Sequence, residues 1–141
     1  MSHEPIELRP VGTVASPLVD PADAPKQGDE GAPDAWLVLD GEVCDGLLGI
    51  EPGDDLIVLT WFHLASRDVL QVHPRGDEAN PLRGIFGTRS PNRPNPIGLH
   101  PVEVAEVEGD RVKVHGLDAV DGTPILDIKT GQTARFRAAS G

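Results

Sequence analysis

Pro91, Pro94 and Pro96 fall within six positions, and no helix can run through them. Each proline locks φ, removes a backbone donor and pushes the preceding residue out of the helical region. Ser90, Arg93 and Asn95 are the residues so constrained. The stretch from Arg83 to Leu99 therefore predicts a rigid, extended loop. It carries Arg83, Arg89 and Arg93 and no acid, in a chain of formal net charge -11. Guanidinium groups recognise carboxylate or phosphate through a fixed fork of donors. A stiff loop with forward-pointing arginines predicts an anion cradle. The alternative is a solvated connection, since most loops are only loops. The density of fixed φ angles and grouped arginines favours the cradle.

The rest of the chain bounds the fold. Its 141 residues suffice for one domain, read as 1–141, and not for two ordinary ones. Sixteen glycines and fourteen prolines imply many turns and short elements, and so an all-β class. Cys44 is the single cysteine, which excludes an internal disulfide and suits a reducing compartment. No apolar run approaches the roughly 18 residues of a membrane span, and no signal-peptide pattern opens the chain. The expectation is a soluble, cytoplasmic protein. Acids outnumber bases 23 to 12, which argues against a broad nucleic-acid surface but leaves room for a local basic site.

In chain order, residues 6–15 predict a first strand, with Pro10 at an edge or bend. Residues 17–35, rich in proline and aspartate, predict a long polar loop. Trp36 to Leu39 predicts a short strand, and Cys44 to Glu51 one or two helical turns. Asp55 to Ala65 holds the longest apolar run and predicts a central strand buried on both faces, with His63 near its exit. Val69 to Val72 and Gly84 to Phe86 predict brief strands. Pro101 to Val107 and Arg111 to Gly116 alternate around a Gly-containing turn, the pattern of a β-hairpin. Pro124 to Lys129 predicts the last strand, and residues 130–141 a short polar tail. About seven short strands at close spacing imply a barrel or sandwich.

Common catalytic signatures are absent: no G-x-G-x-x-G, Walker loop, G-x-S-x-G or C-x-x-C occurs. The five histidines have no metal-ligand spacing, so no metal is expected. What remains is the arginine loop and a second polar stretch holding Asp118, Asp121, Asp127 and Lys129. Arginine suits a carboxylate or phosphate; aspartate suits an ammonium or ribose hydroxyl. Asp121-Gly122 fits a plain turn.

The run Arg89-Ser90-Pro91-Asn92-Arg93-Pro94-Asn95-Pro96-Ile97-Gly98-Leu99 resembles the signature of the TsaA-like, or TrmO, family. Further matches follow in order: Ser16-Pro17, Pro25-Lys26-Gln27-Gly28, Gly46-Leu47, Trp61-Phe62-His63, Gly84-Ile85-Phe86, and Leu117-Asp118 through Asp127-Ile128-Lys129. The resemblance reaches from the first strand to about Lys129, and is to a short form without the family's C-terminal extension. It implies a β-barrel-like domain rather than a Rossmann fold. It also implies S-adenosylmethionine as cofactor, commonly at a homodimer interface, and N6-methylation of threonylcarbamoyladenosine in the tRNA anticodon loop. Cofactor contacts carry over to Lys26, Gln27, Gly28, His63, Leu64, Arg89, Leu99, His115, Gly116, Leu117 and Asp118. Arg83, Arg93, Asn95 and Lys129 are candidates for the substrate side, and His63 and Asp127 for proton transfer. The chain departs from the family pattern at Gly87 (usually Ala), at His100 (commonly Ser) and at Thr130 (usually Pro). Two alternatives to tRNA methylation remain open: a methyltransferase of the same fold acting on a small molecule, and a non-catalytic cofactor-binding module.

Overall fold

The computed structural model describes residues 2–20 and 32–131. Among the described residues eight strands form: β1 (Gly12–Ala15), β2 (Ala35–Leu39), β3 (Asp55–Trp61), β4 (Gln71–Val72), β5 (Arg83–Gly84), β6 (Ile97–Glu108), β7 (Arg111–His115) and β8 (Pro124–Thr130). Six of them close into an antiparallel barrel in the order β1-β2-β7-β6-β3-β8, while β4 and β5 pair separately. Closure leaves the barrel without an edge strand, since each strand has a partner on both sides over part of its length. A 3-10 helix, Gly41–Leu47, follows β2.

A barrel wall one strand thick needs one apolar face, and alternation supplies it. Ala35, Leu37 and Leu39 are buried while Trp36 and Val38 are half-buried. Val112 and Val114 point the same way from β7. Outside, the Arg111 guanidinium lies 4.4 Å from the Trp36 ring centroid. The β6–β7 hairpin lies where the alternation predicts, with Gly109 at φ 63 in its turn. The spacing slip before Val107 is a bulge between Val104 and Glu106.

Several expectations need correction. The strand expected over 6–15 is confined to Gly12–Ala15, because Pro10 cannot donate to a ladder. The central strand ends at Trp61, and only one of its faces is buried. Leu56, Val58 and Thr60 face inward, whereas Ile57 and Trp61 are half-buried, since no second layer covers the wall. At Gly84–Phe86 the chain pairs only through Gly84 before a 3-10 turn over Ile85–Gly87. Strand β6 starts at Ile97, four residues earlier than the alternation suggested, and passes through Pro101. Proline is tolerated there because β7 ends opposite Glu103, which leaves β6 a free flank beyond it. Lys26, Gln27 and Gly28, most of the 17–35 loop and nearly all of the tail lie outside the described residues.

Candidate functional site

The arginine loop is fastened to the segment that leaves β3. Ser66 N donates to Asn92 Oδ1 at 2.9 Å, and Arg93 N donates to Ser66 O at 3.1 Å. Arg67 donates through Nε to Pro94 O at 2.7 Å and through Nη2 to Asn95 Oδ1 at 3.0 Å. Its guanidinium also lies 5.2 Å from the Trp61 ring centroid. Phe62 N donates to Pro96 O at 2.8 Å. Prolines make the loop stiff, and these bonds fix where the stiff loop sits.

The arginines then part company. Arg93 does not project forward: its Nη1 donates to Thr88 O at 3.2 Å and Ser90 O at 3.1 Å, and its Nη2 to Ile85 O at 3.3 Å. It satisfies the loop's own carbonyls and braces the loop from within. The Asn95 side chain is likewise engaged by Arg67. Arg83 and Arg89 are exposed and have no hydrogen-bond or ion-pair partner among the described residues. Replacing Arg93 by alanine should lower stability by about 2 kcal/mol, the scale of charged hydrogen bonds lost from carbonyls. Urea denaturation would measure this, and an unchanged midpoint would show that the brace carries no weight.

At the same end of the barrel, a polar network enters the interior. His100 and Thr60 point inward from β6 and β3; the ring is 3% exposed and the threonine fully buried. Thr60 Oγ1 lies 2.7 Å from His100 Nε2, and His100 Nδ1 lies 2.5 Å from Asp118 Oδ1. A carboxylate only accepts, so Nδ1 carries the proton; in the neutral ring Nε2 then accepts from the threonine hydroxyl. The Phe62 ring meets the imidazole edge-on at 5.6 Å. Gly98 makes the space: a Cβ there would stand 2.5 Å from Phe62 Cζ and 2.6 Å from both His100 Nε2 and Thr60 Oγ1. The order Thr-His-Asp has the outline of a nucleophilic triad. Complete burial of the hydroxyl denies it a substrate, so the chemistry available is orientation of Asp118.

The other candidates are spread around this end and the outer wall. His63 and Leu64 are exposed just past β3. Leu99 is outward-facing and 44% exposed. His115 is exposed on the last position of β7, its Nδ1 2.5 Å from Asp34 Oδ1. Gly116 turns the chain at φ 92. Leu117 is fully buried in the core, so only its backbone can meet a ligand. Asp121 opens a turn completed by Gly122 at φ 81, and its carboxylate also accepts from the distant Ser16 N at 3.0 Å. Asp127 and Lys129 form a surface pair at 2.8 Å. Both face outward because a bulge opposite Leu59 and Thr60 shifts the register of β8. The Lys129 hydrogen bond is the largest influence on the Asp127 carboxyl and holds its pKa below the usual range. A carboxylate so held is a weaker proton acceptor.

One residue of consequence was not singled out from sequence: Arg67 sat in a stretch read only as charged loop. His100 was noted as a departure from the family pattern, but its inward placement was not; continuing the Val102–Val104 alternation back to it places it on the inner face.

The chain matches the family described as tRNA-methyltransferase O N-terminal domain over residues 13–132. It is 46% identical over 129 residues to a "Probable S-adenosyl-L-methionine-binding protein" of Methanothermobacter thermautotrophicus, covering 92% of each chain. It is 49% identical over 122 residues to an "S-adenosyl-L-methionine-binding protein" of Archaeoglobus fulgidus, covering 86% of each. Among solved structures, TrmO from Pseudomonas aeruginosa superposes with a TM-score of 0.70 at 29% identity over 94% of this chain. This chain spans 57% of that protein's length. With its barrel, its proline-stiffened arginine loop and a match over most of its length, the chain belongs to the tRNA-methyltransferase O N-terminal domain family.

Proposed function

We propose that this protein is an S-adenosylmethionine-dependent methyltransferase, with N6 of threonylcarbamoyladenosine in the tRNA anticodon loop as its acceptor. The observation that carries the reading is the pairing of opposite charges at one barrel end. Arg83 and Arg89 stand exposed without partners among the described residues, on a loop fixed in place. Asp118 stands at the mouth with one carboxylate oxygen held. A ligand bearing both a carboxylate and cationic groups, as S-adenosylmethionine does, fits such a set. When bound, the cofactor supplies a methyl group on a positively charged sulfur, and transfer needs in-line approach of the acceptor nitrogen. The residues that this chain contributes orient and hold; rate then comes from positioning and from charge placed around the sulfonium.

The acidic surface does not oppose an RNA substrate here. No Asp or Glu lies between Arg83 and Pro101, so phosphates can approach the loop locally. Leu99, Ile97 and His115 face outward on the wall of β6 and β7. A cofactor that touches them as well as Arg89 lies against the outside of the barrel and needs a second surface to cover it. That supports, as part of this reading, the homodimer that the family resemblance implies.

A second reading, a cofactor-binding module without turnover, is favoured by the names of the archaeal relatives, which state binding only. One experiment separates the readings. The cofactor is titrated by calorimetry, and the same sample is then given tRNA carrying threonylcarbamoyladenosine. Binding with methyl transfer is the expected result. Binding without transfer to tRNA removes the proposed acceptor. No binding removes the cofactor.

A further inference from the structure

We propose that His100 is a positioning residue that fixes the Asp118 carboxylate, leaving its second oxygen to receive a hydrogen-bond donor of the cofactor. The inference rests on the reading of Asp118 as a cofactor contact and assigns a role to a buried histidine that never meets the ligand.

The ring sits in a close-packed place. The Phe62 ring meets it edge-on, and Nε2 fills the space that the missing Cβ of Gly98 leaves. Its two nitrogens are committed to different partners. Thr60 is fully buried, so its hydroxyl must find a partner in the interior, and Nε2 lies within 2.7 Å. The carboxylate only accepts, so the ring proton is on Nδ1, directed at Asp118 Oδ1 2.5 Å away. No buried side-chain polar atom among the described residues is left unsatisfied.

Asp118 needs such an anchor. It lies in the stretch between β7 and β8 rather than on a strand, and no ladder holds it. Its side chain is 18% exposed, against 3% for the histidine. Its Oδ2 has no hydrogen-bond partner among the described residues. One oxygen is thus tied to the buried ring, while the side chain as a whole keeps a share of exposure. The free oxygen can accept from the cofactor's α-ammonium or a ribose hydroxyl. A side chain fixed before binding loses less rotamer freedom when the ligand arrives. Thr60 acts one step further back: its hydroxyl donates to Nε2, the ring nitrogen that the carboxylate leaves without a proton.

Two isosteric replacements separate positioning from packing. In His100→Asn the amide nitrogen takes the place of Nδ1 and keeps the donor to Asp118. In His100→Gln it takes the place of Nε2 and keeps only the threonine contact. Both lose the ring, so both should lower the melting temperature similarly. S-adenosylmethionine affinity, measured by calorimetry on the full chain, should stay within about threefold for H100N. It should fall roughly tenfold for H100Q, as for Asp118→Asn, on the scale of one charge-assisted hydrogen bond. In the H100Q, D118N double variant the loss should not add, because one interaction is removed twice.

Equal losses for H100N and H100Q, or an unaffected H100Q beside a weakened D118N, would overturn the positioning role. Wild-type affinity in D118N would instead overturn the reading of Asp118 itself. Nitrogen NMR of the wild-type ring gives an answer that does not depend on any variant folding. The proton should sit on Nδ1, and both ring signals should move when S-adenosylmethionine is added. A proton on Nε2, or signals that ignore the cofactor, would refute the proposal.

Discussion

Replacing Gly98 by alanine should cost about 3 kcal/mol of stability, the upper range for forcing atoms into a filled interior. The added methyl would lie within 2.6 Å of three atoms at once. None of them can withdraw freely. Phe62 Cζ belongs to a ring packed on His100, and the other two atoms are the partners of the Thr60–His100 hydrogen bond. Relief by separating that bond strands a fully buried hydroxyl, which costs about 1–3 kcal/mol in its own right. Thermal melts of the wild type and G98A are the direct comparison. A serine variant should fare no better, since its Cβ occupies the same point. If G98A melts within a degree of the wild type, the interior at this end is looser than its geometry implies, and the rigidity claimed for His100 is lost with it.

Removing the Arg89 side chain should leave the fold intact and weaken S-adenosylmethionine binding by roughly 10- to 100-fold. The side chain is exposed and has no partner among the described residues, so nothing internal depends on it. If the guanidinium holds the cofactor carboxylate, its loss removes a charge-assisted pair worth about 1.5–3 kcal/mol. A lysine at 89 keeps the charge but not the fork, and should recover only part of the affinity. Calorimetry at fixed salt settles the matter: unchanged affinity in R89A would take Arg89 out of the site. The contrast with Arg93 is part of the test. Its alanine variant should lose stability first and affinity only through the loosened loop.

The two arginines show where sequence reading stops. Both sit in one motif, each within a residue of Ser90-Pro91 or Pro94. Extended backbone followed from the prolines and was legible. The direction of each guanidinium was not, because it depends on which carbonyls the folded loop turns inward. For Arg93 these are Thr88, Ser90 and Ile85, three to eight residues back. The central strand was overburied on paper for a related reason. Leu56 through Leu59 are all apolar, and a continuous run reads alike for a strand covered on both faces and for one closing a barrel with a half-exposed outer wall. Asp127 was a candidate for proton transfer, and a bulge in β8 turns it outward with Lys129; a bulge has no mark in the pattern of residue types.

Sequence alone determined the rigid loop, the hairpin, the all-β class and the isolation of three arginines from acid. Each of these follows from local rules: fixed φ at proline, period-two alternation, and glycine at a turn. The tertiary structure alone decided closure of the barrel, the fastening of the loop by Arg67, and the meeting of Thr60, His100 and Asp118. Those residues lie 40 and 18 positions apart, and no local rule joins them. They meet because the register of β3 on β6 places Thr60 opposite Gly98, next to the inward-facing His100, and because glycine there leaves room for the ring.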